Sequence, residues 1–317
     1  MKESLVTPSA AAPTRPRAYR HDALFYDGPD EFHISVSAFV DAAVATGAPV
    51  LVIASADKID RLRPSADPDL VRLADMGEVG RNPGRIIPTW RAFVDAHPSA
   101  TVYGVGEPIP PERPALEIAD CQQMEALLNV AFTDADDFWL RCPYDVGALD
   151  PAVVEEARRS HPIVVHGDRD EPSATYDGPD GAWTMLDAPL PEPPVTPATF
   201  TLRPGQLRQL RAFVAERALG AGLAPHLIDD LVLAANEIAS NSLLYAGGGA
   251  DVRVWSDRTV VCEISDSGVI KDPLVGRVLP GAEEHDPRGL WIANQLCDFV
   301  QVRSSTHGSV VRLHVRP

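Results

Sequence analysis

Five prolines between positions 189 and 197 interrupt this chain more sharply than any other feature of its sequence. The segment from Ala182 to Thr199 reads AWTMLDAPLPEPPVTPAT. Proline lacks a backbone N–H and fixes φ, so this density excludes a helix or a central strand and favours an extended spacer. A chain of 317 residues is also longer than one ordinary core requires. We therefore predict a linker at residues 184–198, between a domain at residues 21–183 and a second domain at residues 199–317.

The net charge of −17 is carried almost entirely by the part of the chain before Thr199. That part has 16 basic and 32 acidic residues, whereas the remainder has 12 and 13. A surface this acidic repels the phosphate backbone of nucleic acids, which argues against direct binding of DNA. It favours a solvated face or a basic protein partner.

No segment has the ~20 apolar residues that a membrane span requires, and residues 1–20 lack the apolar centre of a secretion signal. We expect residues 1–20 to be a disordered leader and the protein to stay in the cytoplasm. The four cysteines form no C-x-x-C pair, which favours buried thiols. Redox or ligand sensing by Cys121 or Cys142 is the alternative.

Before the linker, strand and helix patterns alternate, which predicts a mostly parallel sheet with helices on both faces. No G-x-x-x-x-G-K-[ST] loop is present, so a nucleotide held by such a loop is not expected. The predicted strands are Val50–Ala54, Ile86–Ile87, Ala100–Tyr103, Asp137–Leu140 and Pro162–Val165, and the predicted helices are Asp30–Thr46, Trp90–Ala96, Ala115–Phe132 and Pro151–Arg159.

After the linker, longer helical patterns precede and interrupt strands of alternating polarity. This pattern predicts a layer of helices over a mixed sheet, an α/β sandwich. The predicted helices are Pro204–Ala218, Pro225–Tyr245 and Gly289–Cys297, and the predicted strands are Asp251–Trp255, Val260–Asp266, Phe299–Arg303 and Ser309–Val315.

Glu237 and Asn241 lie four residues apart in the second of these helices, so they share one face of it. The carboxylate could take a proton and the carboxamide oxygen could hold a metal ion. Both are also ordinary surface residues, so a solvated face is the alternative. The side chains expected to face the core are those of Leu231, Leu233, Ile238, Leu243 and Leu244.

Three glycine-containing segments follow this helix. Asp266-Ser267-Gly268 ends a strand, where an aspartate could accept a hydrogen bond from an exocyclic amine and a glycine could admit a planar base. A simple strand-ending turn is the alternative. Arg288-Gly289-Leu290 begins a helix, whose free N–H groups and dipole favour phosphate. His307-Gly308-Ser309 leads into the last strand.

In this order and spacing, the four elements resemble the ATP-binding domain shared by histidine kinases, gyrase and mismatch-repair ATPases. The resemblance covers about Phe200 to Pro317 and implies a Bergerat-type α/β sandwich that binds ATP and Mg²⁺. It implies that Glu237 is the general base, that Asn241 holds Mg²⁺ and that Asp266 binds the adenine amine. The other nucleotide-binding positions that it implies are Gly268, Arg288, Gly289, Leu290 and Gly308.

One departure from that family lies just before Gly289. Pro287 stands where the family usually has glycine, and it follows the acidic run Glu283-Glu284-His285-Asp286. Proline removes an N–H and the carboxylates repel a triphosphate. Nucleotide affinity or turnover would be reduced, so a partner-binding module with a degenerate ATP site is one alternative function.

The region ahead of the ATPase-like segment lacks the helix pair with a phosphoacceptor histidine that a histidine kinase needs. This arrangement resembles the anti-sigma factor serine kinases of bacterial stress and sporulation switches. The resemblance implies a protein serine/threonine kinase that holds a sigma factor and phosphorylates a STAS-type antagonist, thereby regulating transcription. It also implies a homodimer. An orphan sensor histidine kinase is the other alternative.

The N-terminal domain resembles the sensory domain of a dichloromethane-responsive regulator and of methanogen proteins, over about His21 to Val165. The segments that carry the resemblance are HDALFY, GEPIPPERPALEIADCQQMEALLNVAF and RCPYDVGALDP. It implies a RecA-like α/β sensor for a small molecule, for which ligand contacts or ordinary structural roles are both open. The candidate contacts are His21, Tyr26, Glu107, Cys121, Cys142 and Tyr144.

A metal site in this domain is not expected from the sequence. No histidine pair has the spacing of a zinc protease, and His161 and His166 flank a predicted strand.

Overall fold

The computed structural model describes residues 19–63, 66–135, 137–280 and 288–317. The first sheet has seven strands in the order β3-β2-β4-β5-β1-β6-β7. Its strands are parallel except β7, which pairs antiparallel with β6 at the edge. The strands are β1 (Arg20–Tyr26), β2 (Val50–Ala54), β3 (Val71–Asp75), β4 (Val102–Gly106), β5 (Phe138–Asp145), β6 (Ile163–His166) and β7 (Arg169–Pro172).

Helices cover both faces of this sheet, and a separate hydrophobic cluster fills each interface. Trp90 and Phe138 belong to one cluster, whereas Phe32 and Val52 belong to the other. The predicted parallel α/β domain is therefore confirmed. The helices are α1 (Gly28–Val44), α2 (Ala56–Leu62), α3 (Met76–Val79), α4 (Ile86–Asp95), α5 (Ala115–Ala131) and α6 (Pro151–Ser160).

The predicted strand at Ile86–Ile87 is wrong, because these residues form the first turn of α4. Both side chains are buried against the sheet, and a short apolar pair fits a buried helix turn as well as a strand. The strand in this part of the sheet is β3, whose side chains are mostly only half-buried because it lies at the edge.

The second sheet has five strands in the order β11-β12-β10-β9-β8, and each neighbouring pair is antiparallel. The α/β sandwich is confirmed, but the expectation of a mixed sheet is wrong. The strands are β8 (Ala198–Leu202), β9 (Ala250–Ser256), β10 (Val260–Asp266), β11 (Phe299–Ser305) and β12 (Gly308–Val315), and the helices are α7 (Gly181–Asp187), α8 (Leu207–Gly220), α9 (Pro225–Tyr245) and α10 (Gly289–Leu296).

Helices α8, α9 and α10 pack on one face of this sheet around a single apolar cluster. Its opposite face carries buried polar side chains. Glu263 on β10 accepts hydrogen bonds from Arg253 and Arg312, each at 2.6 Å. Burying charges requires partners for each of them, and the two arginines supply these partners.

Helix α5 of the first sheet's layer lies against this polar face. Asp120 accepts hydrogen bonds from Gln301 and Arg303, both at 2.8 Å. Glu117 pairs with Arg316 at 2.6 Å. The polar side of the second sheet is therefore buried against the first half of the chain rather than exposed to solvent.

The segment predicted as a linker also contacts the second sheet. Arg312 donates a hydrogen bond to the carbonyl of Pro191 at 2.6 Å, and Arg253 pairs with Glu192 at 3.1 Å. Helix α7 packs between α5 and β11. The boundaries at residues 184–198 stay a prediction, and the leader at residues 1–20 lies almost entirely outside the described residues.

Among the described residues, no helix has the length and apolar character to cross a membrane.

Candidate functional site

Helix α9 presents Glu237 and Asn241 on a face that is only partly buried. Its core-facing side follows helical periodicity through Leu231, Ala235, Ile238 and Ser242. Because Glu237 and Asn241 fall between these positions, they lie at the border of the apolar stripe.

Two of the leucines expected to face the core do not do so. The exposed fraction is 47% for Leu233 and 73% for Leu244. These residues lie on the opposite side of α9 from Leu231 and Ile238. The prediction was wrong because it assigned apolar residues to the core without regard to their position around the helix.

Gly289, at the start of α10, lies directly against Glu237 and Asn241. A Cβ atom on Gly289 would lie 2.7 Å from Asn241 Nδ2 and 3.3 Å from Glu237 Cβ. Any larger residue would displace the two side chains. Glycine therefore lets the N-terminus of α10 approach the polar face of α9.

Asp266 ends β10 beside Ser242, on the core-facing side of α9. Its Oδ2 accepts a hydrogen bond from Ser242 Oγ at 2.6 Å, and its Oδ1 accepts one from the Gly268 N–H at 2.8 Å. Ser242 directly follows Asn241, so the two groups of predicted residues meet at this turn of α9. The carboxylate is held in one orientation by both contacts.

Gly268 and Gly308 complete the turn around Asp266. A Cβ atom on Gly268 would lie 2.8 Å from Ala246 Cβ, and one on Gly308 would overlap the Asp266 carbonyl oxygen. Gly308 also has φ +136°, a conformation that favours glycine. Ser309 Oγ donates to the Gly268 carbonyl at 2.7 Å and closes the turn.

An open groove of about 680 Å³ lies on one side of this turn. Asp266 and Gly308 line it, together with the Gly247-Gly248-Gly249 segment after α9, whereas Glu237 and Asn241 do not. The two predicted groups are therefore adjacent through Ser242 and Asp266, but they do not line one common groove.

The remaining predicted residues of this site have different surroundings. Arg288 is exposed at the N-cap of α10. Leu290 is 6% exposed and its side chain packs in the apolar cluster. Its backbone N–H, in the first turn of α10, is therefore the group that could contact a nucleotide. Residues 283–287, with Pro287 and the acidic run, lie outside the described residues.

The predicted sensor residues fall into two groups and one isolated position. His21, Cys142 and Tyr144 surround Glu125 of α5 in the interior. Tyr26 and Glu107 lie at the carboxyl ends of β1 and β4. Cys121 is buried in the core and belongs to neither group.

The group of Tyr26 and Glu107 is joined by Lys58 of α2. Lys58 Nζ donates to Tyr26 Oη at 2.8 Å and forms an ion pair with Glu107. Glu107 also accepts hydrogen bonds from Ser55 N–H and Oγ at 2.9 and 3.0 Å. These groups satisfy one another, and they lie at the edge where ligands bind in open α/β sheets.

Two domain families match this chain. Residues 20–162 match the family described as "MEDS: MEthanogen/methylotroph, DcmR Sensory domain". Residues 200–315 match the family described as "Histidine kinase-like ATPase domain". The chain joins a MEDS domain to a histidine kinase-like ATPase domain.

Among solved structures, the chain is similar to the crystal structure of the RsbU and RsbW domains of Rv1364c from Mycobacterium tuberculosis. The identity is 23% over 39% of this chain, with a TM-score of 0.30. The chain spans 33% of that chain's length. No curated protein matches.

The MEDS domain contains a polar centre that the sequence did not reveal. Glu125, Asn129 and His161 are buried beside His21 and Cys142. The expectation of no metal site in this domain stays a prediction, and histidine spacing along the chain does not decide it, because β1 and the end of α6 bring His21 and His161 together. Polar residues on the all-buried helix α5 are the signal that could have identified this centre.

Burial alone would raise the pKa of Glu125, but the neighbouring imidazoles of His161 and His21 outweigh it and lower that pKa to about 2. Burial and the neighbouring His21 lower the pKa of His161. Burial raises the pKa of the Cys121 thiol to about 12. Cys121 is therefore an inert thiol near neutral pH.

The ATPase domain and the MEDS domain also share contacts close to the site. Arg85 of the MEDS domain donates hydrogen bonds to the carbonyls of Asn294 and Gln295, both at 2.7 Å. These carbonyls lie at the C-terminal end of α10, whose other end carries Gly289. A cation at the end of a helix satisfies its free carbonyls and its dipole.

Proposed function

We propose that this chain is a signal-responsive anti-sigma factor with ATP-dependent protein serine/threonine kinase activity. The observation that carries the proposal is the contact of Gly289 with Glu237 and Asn241, on the same helix whose Ser242 donates to the Asp266 carboxylate. The match of residues 200–315 to histidine kinase-like ATPases supports ATP as the nucleotide.

Glu237 has the role of general base. Its carboxylate is only partly buried, so a hydroxyl group of a protein substrate can reach it. Taking the proton of a serine or threonine hydroxyl makes that oxygen a better nucleophile toward the terminal phosphate of ATP. A carboxylate in this position is the group whose loss should affect the transfer step most.

Asp266 has the role of adenine ligand. Each carboxylate oxygen has about two lone-pair sites, and Ser242 and Gly268 each occupy one site. One site on each oxygen is left for an exocyclic amine. Because both contacts fix the carboxylate, little entropy is lost when a base binds.

The chain's own residues fit a nucleotide in two further ways. The glycines at 268, 289 and 308 permit close approaches that a Cβ atom would block. The start of α10, with Arg288 beside it, offers backbone N–H groups to phosphate oxygens. Asn241 would hold Mg²⁺, which supplies neutralisation of phosphate charge when it is bound.

The partners proposed from the resemblance are a sigma factor and a STAS-type antagonist protein. The free kinase holds the sigma factor, and phosphorylation of the antagonist keeps that protein from displacing it. A homodimer is part of the same proposal, as is a cytoplasmic place of action in a bacterial stress response.

The signal would enter through the MEDS domain. Helix α5 contacts β11 through Asp120, and its Gln123 accepts a hydrogen bond from Arg277 at 3.3 Å. Arg277 precedes α10 in the chain. Together with the contacts of Arg85 at the other end of α10, these contacts join α5 and α4 to the ATPase domain, and through them a movement of either helix would act on α10.

The test is incubation of the full chain with labelled ATP, Mg²⁺ and a panel of STAS-type antagonists. We expect acid-stable label on a serine or threonine of one antagonist, and at least about 100-fold slower labelling with Glu237→Gln. Label that acid removes would indicate a phosphohistidine and a histidine kinase. Absence of both transfer and nucleotide affinity would reject the kinase and leave the partner-binding function, which co-purification with a sigma factor measures separately.

A further inference from the structure

Four side chains from four different elements converge inside the MEDS domain. His21 lies on β1, Glu125 on α5, Cys142 on β5 and His161 directly after α6. One ligand atom from each lies within 4.8 Å of the others, and all four residues are buried. This group is here called the buried tetrad.

The distances within the buried tetrad centre on Glu125 Oε2. That oxygen lies 3.1 Å from His161 Nε2 and 3.5 Å from His21 Nε2. His21 Nε2 also lies 3.4 Å from Cys142 Sγ. Metal–ligand bonds of about 2.0–2.3 Å in a tetrahedral zinc site place neighbouring ligand atoms about 3.3–3.7 Å apart. These three separations agree with such a site to within a few tenths of an ångström, and the remaining ones lie within 4.8 Å.

The outer nitrogen of each imidazole is held by an acceptor. His161 Nδ1 lies 2.7 Å from the Ala157 carbonyl, which can only accept. His21 Nδ1 lies 3.0 Å from Asn129 Oδ1, and Asn129 Nδ2 donates to the Ser160 carbonyl at 2.7 Å, which fixes the amide orientation. Both Nδ1 atoms therefore carry hydrogen, and in the neutral rings both Nε2 atoms present lone pairs to the centre.

Two lone pairs that face one carboxylate oxygen repel it unless a proton on an imidazole or a metal ion lies between them. His161 Nε2 accordingly makes no hydrogen bond to any residue that the structure describes, although it is fully buried. A buried polar atom without a partner is costly. The outward-held Nδ1 atoms are the arrangement that orients histidines bound to a metal.

We propose that the buried tetrad binds one divalent transition-metal ion of the zinc class. Imidazole, thiolate and carboxylate are its ligands, and the nitrogen and sulfur donors favour such an ion over Mg²⁺ or Ca²⁺. Binding forms a metal–sulfur bond and releases the thiol proton of Cys142 to solvent. Since the protein supplies four ligands and excludes water, the site is structural rather than catalytic.

The metal site also lies close to the surface through which α5 contacts the ATPase domain. Glu125 lies on α5 two residues from Gln123 and five residues from Asp120, which contact the ATPase domain. The ion would fix α5 against β1 and β5 and thereby set the surface that the ATPase domain contacts. The metal site does not depend on the proposed kinase activity.

The experiment uses the full chain, stripped with a chelator and dialysed, and titrates it with Zn²⁺ or Co²⁺. We expect about one ion per chain and, with Co²⁺, a thiolate-to-metal charge-transfer band. Cys142→Ala should abolish the band and lower the affinity at least about tenfold. The matched control is Cys121→Ala, a buried cysteine of the same domain outside the buried tetrad, which should change neither.

Asn129→Leu tests the orienting contact to His21 without removing a ligand. We expect an affinity loss of about 10–100-fold with the charge-transfer band retained. A stripped chain that keeps its circular dichroism spectrum but binds neither ion would overturn the proposal, as would binding that is equal in Cys142→Ala and Cys121→Ala. Glu237→Gln should bind the ion normally, so failure of the kinase and failure of the metal site give different results.

Discussion

Two long helices, α5 and α9, each present one glutamate to a polar centre, and the two centres differ in access. Glu125 is buried among two histidines and a cysteine, whereas Glu237 is partly exposed beside Asn241 and Gly289. In the MEDS domain the fold itself places two imidazoles and a thiol around the carboxylate. In the ATPase domain the partners have to arrive from solution. The first arrangement stabilises a structure, and the second permits turnover.

The largest expected difference between the two glutamates is in catalysis, at Glu237. We expect Glu237→Gln to reduce phosphate transfer by about 10²–10⁴-fold, because the amide cannot take the hydroxyl proton. Affinity for a non-hydrolysable ATP analogue should stay within about twofold, since the amide keeps the shape of the side chain. Initial rates of label transfer measure the first quantity and calorimetry the second. Equal loss of rate in Glu216→Gln, an exposed residue on α8, would contradict the assignment.

The free energy of unfolding should depend strongly on Glu125 and little on Glu237, which reverses their expected order of importance for phosphate transfer. Removing one partner from a buried charged group costs about 3–5 kcal/mol, so we expect Glu125→Gln to lower the free energy of unfolding by that amount. Glu237→Gln should change it by less than about 0.5 kcal/mol. Urea unfolding followed through tryptophan fluorescence reports the MEDS domain through Trp90 and Trp139 and the ATPase domain through Trp255 and Trp291. Equal stability of the two variants would remove the distinction.

The surface between the domains should show an intermediate effect. Asp120 is 3% exposed and binds both Gln301 and Arg303. Asp120→Asn leaves the Arg303 guanidinium without its charged partner, and we expect a loss of about 2–3 kcal/mol. A double-mutant cycle with Arg303→Gln measures the coupling. Coupling near zero would show that the contact stabilises neither domain; Asp257→Asn, in an exposed turn, is the matched control.

The stability of the ATPase domain should fall at a pH that is still too high to protonate the carboxylates. Burial and the nearby Arg312 and Arg316 lower the pKa of His314 to about 3, while the unfolded chain has a histidine pKa of about 6.5. Between these values the unfolded state binds the extra proton, so stability falls as pH falls. The loss is about 1.4 kcal/mol per pH unit, or about 2 kcal/mol from pH 6.5 to 5.

Unfolding measured at pH 6.5 and 5 in the wild type and in His314→Gln tests this effect. The variant should show a shallower pH dependence. It should keep some dependence, because His161 also has a lowered pKa. An unchanged slope would show that His314 is accessible to protons in the folded state.

The smallest expected effect concerns the approach of α10 to α9. Gly289→Ala places a methyl group against Asn241 and Glu237, and we expect about tenfold weaker binding of an ATP analogue, or about 1.4 kcal/mol. Gly220→Ala is the matched control, because no atom lies within 4 Å of its Cβ position. Equal affinities would mean that the nucleotide does not bind where the two helices meet.

The sequence predicted α9 and β10 with the bounds that the structure has, because helical periodicity, Pro225 and strand alternation are local signals. The sequence grouped Glu237, Asn241 and Gly289 only through the order and spacing of motifs in the family that it resembles. The structure places these three residues in contact. The roles of these residues stay predictions.

The buried tetrad could not be predicted in the same way. Its members are separated by up to 140 positions, from His21 to His161, and they meet only because β1 is inserted between β5 and β6. The strand order, rather than any local pattern, creates that neighbourhood. The same reason explains why Lys58, which joins Tyr26 to Glu107, was not identified.

The charged face of the second sheet has a practical consequence for work on separate fragments. Residues 199–317 produced alone would expose Gln301, Arg303 and Arg312 to water, and Arg303 would lose the carboxylate that neutralises it. A fragment of that kind would present a new cationic surface able to attract acidic proteins and nucleic acids non-specifically. Binding assays on the isolated ATPase fragment would therefore report contacts that the full-length chain conceals.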